Sequence, residues 1–202
     1  MPVDDLAAAI SLPVAAVVEG LQELARRGYV CLDAAGRPVA LFPFSAIPTD
    51  HVVDIAGRRR FAMCAVDALG VAAMVGETIG IESRCAACGA PVRLSVAPDR
   101  VVTAMPQGTR LVVGRRATDD AMAACCNATV YACTPACARR LAARLPAADV
   151  LTVHDALPRS ATLFARFLTS PDLPPALSAS RGSNGPQGQG GEDRNCNPRG
   201  CV

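Results

Sequence analysis

The apolar pattern changes period at Gly76, and that change restricts the chain to folds that combine helices with a small mixed or antiparallel sheet. Before it, Arg60 to Leu69 is apolar almost throughout, which predicts a buried helix. After it, Thr78 to Ser83, Val92 to Val96, Arg100 to Ala104 and Thr109 to Val113 are short β-rich runs separated by Gly and Pro, with a hairpin at Ala97-Pro-Asp-Arg100. Further on, Thr118 caps a predicted helix through Ala124, Pro135 to Leu145 reads as a helix, Val150 to His154 as a strand, and Ser160 to Leu168 as a last helix. Aromatic residues make up only 3% and Trp is absent, so the core has to be built from Ala, Val and Leu.

The first 45 residues form a unit of their own. Asp4 to Ile10 and Val14 to Arg27 have helical spacing around Ser11-Leu-Pro13, and Tyr29 to Leu32 with Pro38 to Phe42 flank a turn at Asp33-Ala-Ala-Gly-Arg37. Helix, turn, helix and hairpin make a winged-helix-like pattern. Its second helix carries Glu19, Glu23, Arg26 and Arg27 rather than a basic, polar recognition face, so a structural or substrate-covering role is preferred over DNA binding. Phe42 to Pro48 is a proline-punctuated linker, and His51 to Ile55 reads as a strand. The expected fold class is α+β: a winged-helix-like module over 1–45, an α/β catalytic domain with a small mixed or antiparallel sheet over 46–172, and a disordered tail rich in Gly, Pro and Ser over 173–202.

Charge and composition remove several function classes. With 20 basic against 18 acidic residues the balance implies neither a nucleic-acid nor a membrane surface. Every basic residue is Arg, which excludes a Schiff-base lysine and the lysine of phosphate-binding loops. The start lacks the features of a secretory signal and no apolar run is long enough to span a bilayer, so a cytosolic protein is expected. In that compartment ten cysteines read as metal ligands, catalytic groups or small buried hydrophobes rather than as a disulfide framework.

The cysteines are unevenly placed. Cys64 stands three residues before Asp67, so the two share a face if Arg60 to Leu69 is helical, and Cys125 and Cys126 are adjacent. Thiolates bind soft metals far better than oxygen or nitrogen ligands do, and Cys64 with Cys125 would hold one soft cation. Asp67 lies among Ala65, Val66, Ala68 and Leu69, where desolvation would keep its carboxyl partly protonated and able to give up a proton. The competing reading makes Cys64 a core residue and pairs Asp67 with Arg59 or Arg60. His51 and His154 read as ordinary surface or core residues.

Four segments, in order and at comparable spacing, closely resemble the alkylmercury (organomercurial) lyases: Arg59-Arg-Phe-Ala-Met-Cys-Ala-Val-Asp-Ala-Leu69, Ser83-Arg-Cys-Ala-Ala-Cys-Gly-Ala-Pro-Val92, Ala124-Cys-Cys126 and Val150-Leu-Thr-Val-His-Asp155. The resemblance spans roughly Val52 to Leu168. It implies that Cys64, Asp67 and Cys125 cleave the carbon–mercury bond of R–Hg+ to R–H and Hg2+, with Cys126 dispensable and Cys85 structural. It implies no organic cofactor, an organomercurial substrate, and low-molecular-weight thiols or a mercuric reductase as acceptors of the bound Hg2+ product. The alternative is a non-catalytic thiolate protein that binds or senses Hg2+, Cu+ or Zn2+.

Cys88, Cys133 and Cys137 are additions to the family pattern. Cys85-Ala-Ala-Cys88 resembles a zinc knuckle and Cys133-Thr-Pro-Ala-Cys137 a helix-starting cysteine pair; together they supply the four thiolates of a structural zinc site, or else four packed thiols. Cys196 and Cys201 in the tail read either as a mobile dithiol relaying Hg2+ or as part of a low-complexity segment.

Overall fold

The computed structural model describes residues 2–114, 126–145 and 147–169. The tail, the helix expected from Thr118 and the cysteine at 125 lie outside the described residues.

Helices α1 (Val3–Ile10) and α2 (Val14–Arg26) are followed by strands β1 (Val30–Leu32) and β2 (Pro38–Leu41). Ala7, Val17, Leu21 and Val30 meet in a small core of their own. The order helix, helix, hairpin is as expected. The hairpin, however, does not stand apart as a wing: β3 (Phe44–Ser45) pairs with β2 on one side and with β5 (Arg58–Ala62) on the other. The linker therefore contains a strand that joins the hairpin to the sheet.

That sheet has eight strands, not the few anticipated, in the order β1-β2-β3-β5-β4-β6-β7-β8, with every pair antiparallel. Its remaining members are β4 (Val52–Ile55), β6 (Ile79–Arg84), β7 (Pro91–Val96) and β8 (Val101–Met105). Along β6 and β7 the residues alternate between buried and open, which gives the sheet one apolar face. A second antiparallel sheet sets β9 (Arg110–Val113) between β10 (Thr129–Ala132) and β11 (Asp149–Thr152).

Helix α3 (Ala65–Val75) starts later than the apolar run suggests. The arginines before it belong to β5, because Ala56 and Gly57, both at positive φ, make the two-residue turn that pairs β5 with β4. Seven of its residues, Ala65 and Asp67 to Ala72, are buried, as befits a helix that is apolar nearly all round. Its main partner is α5 (Val153–Thr169). Gly70 makes that approach possible: a Cβ there would lie 1.9 Å from the buried ring of Phe164. Phe164 in turn stacks on Phe42, ring centroids 5.1 Å apart.

α5 also starts earlier than expected, at Val153 rather than near Ser160, and it contains Pro158. Thr152 accounts for the start, since its hydroxyl accepts from the Asp155 backbone N–H at 3.0 Å and donates to the Asp155 carboxylate at 2.6 Å. α4 (Pro135–Ala142) matches its predicted start and is capped by Thr134, whose Oγ1 accepts from the Cys137 N–H at 3.1 Å.

Candidate active site

Cys64 is the residue that turns the chain from β5 into α3. It occupies the N-cap position in extended conformation (φ −152°), and its carbonyl accepts the first helical bond from Ala68 at 3.0 Å. Both flanks are pinned: the Ala62 N–H donates to His51 O at 2.8 Å and the Met63 N–H to Pro43 O at 2.9 Å. Asp67 is the third helical residue, the position from which a carboxylate reaches back to the N-cap. The shared orientation of thiol and carboxyl, expected from helical spacing, thus comes from the geometry of a helix start.

Cys64, Asp67 and Cys126 converge, with one ligand atom from each within 4.8 Å of the others. Cys64 and Asp67 are 3% and 2% exposed, and Cys126 is half-buried at the head of a short 3-10 turn (Cys126–Ala128) that leads into β10. The thiol brought to the site among the described residues is therefore the second of the vicinal pair, whereas the motif position points to the first.

Tyr131, fully buried on β10, donates its hydroxyl to the Ala65 carbonyl at 3.0 Å and so ties that strand to the first turn of α3. The ring of His51 meets Tyr131 edge-on at 5.6 Å, and its Nδ1 lies 2.9 Å from Ser83 Oγ. Burial lowers the His51 pKa to about 4 and keeps the imidazole neutral. Sequence reasoning did not find Tyr131. The only available signal was a large aromatic inside an apolar β-run five residues after the cysteine pair.

The electrostatics of the cluster favour neutral, proton-bearing groups. Burial raises the Asp67 pKa to about 7 against hydrogen bonding to the Cys64 thiol and backbone, which lowers it. Burial, reinforced by Cys126 and Asp67, pushes the Cys64 thiol well above its ordinary value. Asp67 Oδ2 is buried without a hydrogen-bond partner among the described residues. Neither arginine proposed as its partner takes that role, since Arg59 pairs with Glu82 at 2.8 Å and the Arg60 guanidinium donates to the Arg59 carbonyl. Two thiols and a protonated carboxyl in a desolvated cluster can bind a soft electrophile and deliver a proton beside it.

The other sequence-predicted residues form a separate cluster. Cys85, Cys88, Cys133 and Cys137 place all four Sγ atoms within 4.8 Å of one another, with Cys88 and Cys133 at 3.6 Å and Cys133 and Cys137 at 3.8 Å. None of the four is in a disulfide. Burial raises the Cys85 thiol, but hydrogen bonds from the Cys133 and Ala87 backbones outweigh it and bring the pKa down to about 7; burial and the neighbouring thiols push Cys133 up to about 12. His154 is exposed, and no described helix is long and apolar enough to cross a membrane.

A cluster of two thiols and a carboxyl thus stands at the start of a buried helix in an α+β fold. The family model for alkylmercury lyase matches residues 44–165. Alkylmercury lyases of Staphylococcus epidermidis and Bacillus cereus are similar to the chain: the first is 36% identical over 83% of this chain and 76% of its own length, the second 34% identical over 76% and 69%. A solved structure, the mercury-bound form of MerB2, shares the fold with a TM-score of 0.66 at 21% identity, covering 82% of each chain. The chain belongs to the alkylmercury lyase family.

Proposed function

We propose that this protein is an organomercurial lyase that cleaves R–Hg+ by protonolysis, with Cys64 and a thiol of the Cys125-Cys126 pair as mercury ligands and Asp67 as the proton donor. The observation that carries the reading is the buried Asp67 Oδ2, without a hydrogen-bond partner among the described residues and within reach of two thiols. Cys64 binds the mercury first. Its proton leaves to solvent as the Hg–S bond forms, because a bound soft cation makes a thiol far more acidic, while the Asp67 carboxyl keeps the proton it already holds. The second thiol then adds, releasing its proton to solvent. Two sulfurs push electron density onto the metal and weaken the bond to carbon, and Asp67 delivers its proton to the departing carbon. Both thiol protons end in solvent and the Asp67 proton on R–H, while Hg2+ remains as a dithiolate with the Asp67 carboxylate as a weaker oxygen contact. Burial matters here, since a carboxyl with an ordinary pKa would be almost wholly ionised at neutral pH.

Motif position gives the second thiol to Cys125, and among the described residues Cys126 reaches the site. Single-turnover protonolysis of the serine variants separates them. Cys64→Ser and Asp67→Ala each lose most of the rate, as does one of Cys125→Ser and Cys126→Ser while the other stays near wild type. Full activity in Cys64→Ser or Asp67→Ala overturns the assignment.

No organic cofactor enters this chemistry. Low-molecular-weight thiols or a dithiol of a mercuric reductase complete the cycle by exchange onto the bound Hg2+, which fits a cytoplasmic enzyme. Residues 1–45 act as a winged-helix-like module in a structural or substrate-covering role rather than in nucleic-acid binding, 46–172 as the catalytic domain, and 173–202 as an appended tail.

A further inference from the structure

The four-cysteine cluster takes no part in the reaction above, yet its geometry is that of a metal centre. A tetrahedral zinc ion with Zn–S bonds of about 2.3 Å requires its sulfurs about 3.8 Å apart. The two measured separations, 3.6 and 3.8 Å, fall at that edge length, and all four sulfurs lie within 4.8 Å of one another. A disulfide would need S–S of about 2.05 Å.

The backbone around the sulfurs is built in the same way. After β6 the chain folds into a tight knuckle in which the N–H groups of Cys88 and Gly89 donate to the Cys85 carbonyl at 3.3 and 2.7 Å, with Gly89 at φ 74°. Of the opposite pair, Cys133 lies on the loop after β10 and Cys137 inside α4. Cys137, the third residue of α4, has its N–H held by the Thr134 cap, so this thiol is fixed by a helix start as firmly as Cys64 is. Four thiolates and Zn2+ carry a net charge of −2, and cationic side chains are at hand: Arg84 donates to the Gly89 carbonyl at 3.3 Å, and Arg139 and Arg140 follow Cys137 on α4.

We propose that Cys85, Cys88, Cys133 and Cys137 bind one structural zinc ion, which braces the strand that holds the catalytic helix. Four protein donors leave no open coordination position, so the ion serves folding and not substrate binding. It clamps the β6–β7 knuckle to the β10–α4 loop. The Ala86 N–H donates to the Tyr131 carbonyl at 3.0 Å from within that clamp, and the Tyr131 hydroxyl holds the Ala65 carbonyl beside Cys64. The two cysteine sites thus divide the work: the three-donor site is left open for an incoming electrophile, and the four-donor site is closed.

The test is the metal content of the full chain, purified without chelator, for wild type and for Cys64→Ser, Cys88→Ser and Cys137→Ser. Stoichiometric zinc is expected in wild type and Cys64→Ser, and its loss in the other two. Because Cys64→Ser retains the ion whether or not it turns over, this result is independent of the lyase reading. Should Cys88→Ser or Cys137→Ser fail to fold, cobalt substitution of the wild-type protein decides, through the sulfur-to-cobalt charge-transfer band and intense visible bands of a tetrahedral four-sulfur site. Wild-type protein that holds no zinc and takes up no cobalt overturns the proposal, as does iron at the site, or zinc that is lost with Cys64→Ser.

Discussion

Replacing Asp67 by asparagine makes the cost of a buried proton donor measurable. The carboxyl titrates at about 7 in the folded protein against 3.8 for an ordinary aspartate, with burial as the first cause. A group whose folded pKa is raised stabilises the native state, relative to alkaline solution, below its unfolded pKa, and this stabilisation is lost as the pH rises towards the folded value. Between 3.8 and about 7 the unfolded chain is ionised while the native one keeps its proton, so wild-type stability should fall by up to about 1.4 kcal/mol per pH unit, about 4 kcal/mol across the window. The amide of the variant cannot ionise. The difference between the two proteins cancels every other titrating group, so it should move by about that amount in favour of Asp67→Asn between about pH 4 and about pH 8. Urea unfolding of both apo proteins under reducing conditions across that range gives the difference directly. Parallel curves would mean instead that Asp67 ionises in the folded protein as easily as in the unfolded one. The variant should also lose protonolysis, so that a stability gain at high pH accompanies the loss of function.

Three further outcomes follow from the packing and the protonation of the site. Gly70→Ala sets a methyl group 1.9 Å from the Phe164 ring and should destabilise by about 1–3 kcal/mol or more, with partial recovery in the double variant with Phe164→Leu; thermal unfolding of both checks this. Tyr131→Phe keeps the ring beside His51 but removes the bond to Ala65, for an expected loss of about 1 kcal/mol, and unchanged stability would show that the hydroxyl holds nothing. The rate of single-turnover cleavage should fall as pH rises through about 7, where Asp67 loses its proton, and a rate flat across that range would remove Asp67 as the donor.

Much of the site was legible because its chemistry is carried by residue types that need little context. Cys64 and Asp67 were marked by a thiol and a carboxyl in an apolar run, and the four outlying cysteines by their two short spacings. The structure gathers each set. What spacing could not supply was where helices begin. The run from Arg60 to Leu69 is apolar enough for a helix throughout, yet the two-residue turn at Ala56-Gly57 folds Arg58–Phe61 back onto β4 and claims its first part, a hairpin that the apolar run conceals. The start of α5 was missed for the opposite reason. Thr152 and Asp155 spell a capping signal in the sequence, but Pro158 reads as a helix breaker and hides it. Tyr131 went unnoticed because its role is defined by a carbonyl 66 residues away.

The chemistry assigned to this protein breaks a carbon–mercury bond and puts a proton in its place. Phenylmercury incubated with the purified protein and excess thiol in deuterated water tests it most directly, with the volatile product identified by mass spectrometry. Benzene carrying one deuterium should accumulate over many turnovers with wild type and not with Cys64→Ser, since the proton held by Asp67 exchanges with solvent before it reaches carbon. Phenylmercury recovered intact, bound to the thiols with no benzene formed, would contradict the account and leave a protein that holds the metal without cleaving it.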